Sequence, residues 1–176
     1  MPPDNQLELR LFVGTTVAVR RLASNVEAPR LFRLDGVARL AIWPIDDDLH
    51  DALHRTYGTG DWLKNAVRLS TRDLEFSAKY SFGEKLAYLE AVATPETFHQ
   101  AAAAWRNGVM CVRPTVLTLK DSPVQSGRPR RLWPLNAALT ALGVSPVGRD
   151  DAIAASGLAH FASNAEILAN AQQISG

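Results

Sequence analysis

Cysteine is nearly absent: Cys111 stands alone in 176 residues. That excludes an intramolecular disulfide and fits a reducing compartment. No apolar run approaches the roughly 18 residues that a spanning helix needs, and no basic-then-apolar opening resembles a signal peptide. A cytoplasmic protein without membrane contact is therefore expected. Charge of one sign is lacking too. The net charge is +1, so no global field draws the chain to nucleic acid or an anionic surface. Lysine is scarce, with only Lys64, Lys79, Lys85 and Lys120 among 19 basic residues. Together with abundant alanine, that bias suggests a GC-rich bacterial or phage genome. The physical alternative is selection for the forked contacts of arginine with phosphate or carboxylate.

What is present is apolar material, 47% of the chain, with 21% charged residues, enough for a packed core and against disorder. Leu7, Leu9, Leu11 and Val13 alternate with Glu8, Arg10 and Phe12, the period of a half-buried strand, and Val17–Leu22 is β-like. Asp35-Gly36 between two apolar stretches predicts a two-residue hairpin turn. Phe76, Ala78, Tyr80 and Phe82 alternate as a further strand, which Gly83-Glu84 turns into Leu86–Val92. Thr94-Pro95-Glu96 predicts a helix start, with Phe98, Ala101, Ala102 and Trp105 on the buried face and Gly108 as its stop. Val109–Leu119 follows as a strand in which Pro114 implies an edge or a bulge.

Beyond Asp121 the composition changes. Pro123, Gly127, Pro129 and Pro134 preclude regular structure, after which helices are expected at Leu135–Leu142, Asp150–Ser156 and Ala165–Ile174. Ser163-x-x-Glu166 is a capping-box pattern for the last. Trp43-Pro44-Ile45-Asp46 and Trp133-Pro134-Leu135-Asn136 each place an Asx residue as a helix cap. The resulting expectation is an α+β fold: a mainly antiparallel sheet of about five or six strands, two helices on one face, and a C-terminal helical tail. Its parts are a body over 1–121, a Pro/Arg-rich linker over 122–134 and a tail over 135–176 that packs on the body or on a partner.

Reactive groups crowd between Trp43 and Trp62. Asp46 suits a helix N-cap, Leu49, Leu53 and Tyr57 form a stripe, and Gly58 ends the helix. His50 and His54 then share one face, where Asp47, Asp51 or Asp61 would complete a metal shell. The zinc-protease motif HExxH is not matched, because Asp51 follows the first histidine. A solvated, well-capped helix is the preferred reading there, with no metal or cofactor. Gly58-Thr59-Gly60 lacks the strand before and helix after of a phosphate loop. Cys111 with His99 would make a nucleophile pair, although its apolar flanks suit a buried thiol. The tail's last helix carries no arginine or lysine, which argues against a helix-turn-helix reader.

The partner-binding signal is basic. Lys120, Arg128, Arg130 and Arg131 surround a segment that ends in Trp133, and arginine forks with an exposed aromatic suit phosphate and base, or an acidic protein surface. The first functional expectation is thus a non-enzymatic bacterial or phage accessory protein that binds nucleic acid or a protein partner. Its helical tail would serve homo- or hetero-oligomeric assembly. A small metal- or acid/base-dependent hydrolase using the cluster at 46–54 is the alternative, and an inhibitory or structural interaction protein the third.

Overall fold

The computed structural model describes residues 8–36, 38–46, 50–51, 54–55, 58, 60–61, 69–94, 96–120, 133–146, 148 and 151–174. Its centre is β1 (Glu8–Gly14), flanked by β3 (Ala41–Pro44) on one side and β4 (Lys85–Ala93) on the other. Outside β4 lie β5 (Thr97–Arg106) and β6 (Val109–Lys120). Outside β3 lie β2 (Phe32–Arg33) and β7 (Gln172–Gln173), giving a seven-stranded sheet in the order β6-β5-β4-β1-β3-β2-β7. Every neighbouring pair is antiparallel. The fold is α+β with a C-terminal helical region, as the sequence implies, with one or two strands more.

Both faces of the sheet are covered. One carries α1 (Thr16–Ala23) and α2 (Thr71–Tyr80) over Phe12, Trp43, Leu86, Tyr88 and Trp105. The other carries α3 (Pro134–Ala141), α4 (Ala152–Ser156) and α5 (Asn164–Asn170), which bring Leu135, Leu139 and Ile167 onto Leu11, Ile42 and Leu89. A strand buried on both sides reads as a continuous apolar run, which is why Leu11–Val13 loses its alternation.

Four local readings are corrected. Val17–Leu22 belongs to a helix: the Thr15 hydroxyl accepts from the Ala18 N–H, and the buried residues Ala18, Val19, Leu22 and Ala23 have helical spacing. Phe76–Tyr80 is helical as well, because Ser70 and Asp73 form a reciprocal capping box at the start of α2. Conversely, Phe98–Trp105 is strand. Ala103 and Trp105 face one core while Ala102 and Ala104 face the other, so two-sided burial overrides the helix preference of alanine. Thr94 serves a turn: its N–H donates to the Thr97 carbonyl at 2.8 Å and its hydroxyl accepts from the Thr97 N–H at 3.1 Å.

The fourth correction concerns the hairpins. β2 and β3 do pair, but across Leu34–Leu40 rather than a two-residue turn, and neither Asp35 nor Gly36 has a positive φ. The tight turn lies instead at Asn107-Gly108, with φ of 51° and 76° between Arg106 and Val109. Positive φ at both central positions is what a type I′ turn requires, and Asn-Gly supplies it with least strain. β6, which this turn launches, is an edge strand with two register shifts opposite Ala102–Trp105, in keeping with Pro114.

In the helical region the Ser163 hydroxyl caps α5 by accepting from the Glu166 N–H, while the Glu166 carboxylate takes the Ala162 N–H. Asn136 does not cap its own helix. The N-cap of α3 is Trp133, and the Asn136 side-chain oxygen accepts from the Ile153 N–H at 3.0 Å, tying α4 to α3. The stretch after Asn170 turns into β7, whose residues pair with β2. No helix among the described residues is long and apolar enough to cross a membrane.

Candidate metal centre

His50 and His54 lie one helical turn apart, as their spacing implies. The His50 N–H donates to the Asp46 carbonyl at 3.0 Å, and the Gly58 N–H to the His54 carbonyl at 2.7 Å. Asp46 therefore opens the helical bonding. Gly58, with φ 77°, takes the left-handed conformation that commonly closes a helix. The imidazole rings meet edge to face, their centroids 3.9 Å apart. Both are buried, at 4% and 8% exposure.

The carboxylate they face is Asp73, 3% exposed, at the third position of α2. The capping box fixes its orientation. Oδ2 accepts from the Ser70 N–H and the Ser70 hydroxyl, both at 2.8 Å, which turns Oδ1 towards His54 Nε2 at 3.4 Å. Ligand atoms of His50, His54 and Asp73 all lie within 4.8 Å of one another. Bonds of about 2.1 Å in a tetrahedron put adjacent ligand atoms roughly 3.4 Å apart. The His54–Asp73 pair already has that separation. Two imidazoles and a carboxylate suit zinc or another first-row transition ion better than calcium or magnesium, which prefer all-oxygen shells.

The acidic partners read from the sequence do not fill this place. Asp51 is exposed and reaches His50 Nδ1 only at 3.8 Å. Asp61 is exposed and engages Thr71 through its backbone, and Asp47 lies outside the described residues. Asp73 was missed because nothing links it to the histidines in sequence. The Ser-x-x-Asp spacing that positions it was nevertheless readable.

Tyr88 borders the same region. Burial pushes its hydroxyl well above the ordinary tyrosine range, and the nearby charges of Glu90 and Asp73 add to the shift. Tyr88 is thereby held as a neutral donor, and it hydrogen-bonds Glu90 at 3.0 Å.

The remaining candidates separate. Cys111 is exposed, with its thiol near the Ala104 carbonyl. His99 bonds Glu90 and Thr118 instead. Seven strand residues at about 3.4 Å each put Cys111 far from Thr118, so the Cys–His pair does not form. Gly58 and Gly60 both have positive φ beyond a helix C-terminus, the negative end of the dipole and the wrong end for phosphate. Lys120 ends β6, its backbone paired with Thr97. Trp133, expected as an exposed aromatic, is 4% exposed and packs on Phe98 with ring centroids 5.4 Å apart. Arg128, Arg130 and Arg131 lie outside the described residues.

The molecule is thus an α+β protein with a buried His/His/Asp cluster between a short helical turn and the start of α2. Compared with known protein families, curated proteins and solved structures, the chain finds no match.

Proposed function

We propose that the protein is a small metal-dependent hydrolase, holding one divalent transition ion, zinc foremost, on His50, His54 and Asp73. The observation that carries this reading is the convergence of three buried ligand groups from two separate segments within 4.8 Å. Three protein ligands, the number found among the described residues, match the hydrolytic zinc sites, in which a fourth tetrahedral position is kept for water or substrate. When bound, such an ion supplies Lewis acidity and lowers the pKa of a coordinated water to about 7. Ser70 does for Asp73 what outer hydrogen bonds do for metal ligands generally: it fixes the carboxylate before the ion arrives.

Protein purified without a histidine tag should carry close to one equivalent of zinc by elemental analysis. The double change His50→Ala, His54→Ala should abolish that content and any zinc-dependent turnover of an ester and phosphodiester panel. Chelation should lower the melting temperature of the parent chain and leave that of the double variant unmoved, since an ion that binds only the native state stabilises it by mass action. A metal-free parent whose melting ignores added zinc would sink the proposal.

A second reading concerns the arginine-rich segment. It leaves the sheet at Lys120, paired with Thr97, and the chain returns at Trp133 on Phe98, so both ends sit at one corner of the sheet. We propose that a segment so anchored contacts nucleic acid or an acidic protein surface through Arg128, Arg130 and Arg131. Replacing all three by glutamine should leave the melting curve intact, as surface changes usually stay within about 0.5 kcal/mol each. Against RNA or DNA, affinity should fall and the salt slope shrink by roughly one unit per lost phosphate contact. Affinity and salt slope that match the parent chain would reduce the segment to a connection.

A further inference from the structure

A second constellation adjoins the metal cluster but shares no residue with it. Across β4, β5 and β6, on the face that carries α1 and α2, four polar side chains form one line. The Tyr88 hydroxyl donates to Glu90 Oε2 at 3.0 Å, Glu90 Oε1 lies 3.0 Å from His99 Nε2, and His99 Nδ1 lies 3.0 Å from Thr118 Oγ1. Burial grades along it: Glu90 is 0% exposed, His99 is buried and Thr118 is exposed. His99 and Thr118 are direct cross-strand partners, so the sheet's own register holds imidazole and hydroxyl together.

A fully buried carboxylate beside an imidazole selects the tautomer. An ionised Glu90, its other oxygen taken by Tyr88, can only accept, which favours the His99 tautomer that carries its proton on Nε2 and donates it to Glu90. Nδ1 then holds a lone pair and accepts from the Thr118 O–H. A hydroxyl on a base that is in turn oriented by a carboxylate is the arrangement that activates alcohol nucleophiles.

We propose that Thr118 is a nucleophilic hydroxyl, activated by the His99–Glu90 pair, that accepts an acyl group from activated esters. The step balances without a co-reactant. Thr118 Oγ1 bonds to the ester carbonyl carbon as its proton passes to His99 Nδ1. The tetrahedral adduct then collapses, expelling the alkoxide or phenolate with the C–O bonding pair. His99 returns the proton to the leaving group or to solvent, and an ester at Thr118 remains. Glu90 and Tyr88 touch no substrate and are positioning residues.

4-Nitrophenyl acetate is the probe. The intact chain incubated with it should gain one acetyl group, which peptide mapping places on Thr118. Thr118→Ser should be labelled as fast or faster, since a primary alcohol is less hindered, whereas Thr118→Val should lose labelling in that peptide. His99→Gln should slow it by roughly a hundredfold, the usual contribution of a general base. Glu90→Gln should slow it too, with melting curves recorded for every variant. The Thr118 pair decides the matter even where a change at His99 or Glu90 unfolds the protein, because it leaves the relay in place. Label on lysines alone, or equal Thr118 labelling in a folded His99→Gln variant, would overturn the proposal. Labelling should persist in His50→Ala, His54→Ala, so that failure of the metal reading and failure of this one are told apart.

Discussion

Removal of residues 133–176 should leave a chain that no longer unfolds cooperatively. Leu135, Leu139, Leu142, Val144, Leu158 and Ile167 lie in one core cluster with Leu9, Leu11, Ile42 and Leu89 of the sheet. At about 1.5–3 kcal/mol for each large buried side chain, these six contribute roughly 9–18 kcal/mol before entropy is counted. A domain's whole stability is about 5–15 kcal/mol. The cut also bares one complete face of the sheet, a surface far larger than soluble monomers expose. Far-UV circular dichroism should show no sharp thermal transition, and size-exclusion chromatography should show aggregates. A truncated chain that stays monomeric and melts sharply near the parent temperature would mean that the helical region adds little to the sheet.

Gly36→Ala should cost about 3 kcal/mol or more, a large loss for one methyl group. An added Cβ there would stand 2.2 Å from the Ser156 carbonyl carbon and oxygen and 2.6 Å from the Ala155 oxygen. All three are backbone atoms, so no side chain can swing aside. The β2–β3 connection or the end of α4 must move instead, against the Leu34 N–H to Leu40 carbonyl bond of 2.8 Å on one side and, on the other, the bond from Ile153 that ties the start of α4 to Asn136. Asp35→Ala, at an exposed neighbour, is the control and should stay within about 0.5 kcal/mol. Urea midpoints at constant slope would settle it; equal midpoints for the two variants would show that the loop yields freely.

That glycine also shows what was legible and what was not. Asp35-Gly36 has the letters of a tight hairpin, yet the glycine serves close approach to α4, a long-range demand with no local trace. The true tight turn, Asn107-Gly108, was masked by the alanine run before it. Ala101–Ala104 have strong helical preference and become strand because cores press from both sides. Sheet-and-helix class, the strand at Leu9–Val13, the edge character of Val109–Leu119 and the Ser163 cap rest on local chemistry and were readable. Two of the three residues of the His/His/Asp cluster were readable too, in the spacing of His50 and His54. Asp73 enters only through tertiary folding, and so does the pairing of His99 with Thr118 rather than with Cys111.

The placement of β7 has a consequence for the order in which the molecule can be made. Gln173 pairs with Phe32, and the Ile174 N–H donates to the Leu31 carbonyl at 2.8 Å. β1, in the middle of the sheet, needs β4 from much later in the chain. During synthesis the first strands therefore emerge with unpaired edges and must wait for partners not yet translated. Folding dominated by such distant pairings is slow, and the waiting edges invite wrong partners. β2 reduces this exposure by its brevity: at two residues, Phe32 and Arg33, it offers a passing strand little to grip before its own partner arrives.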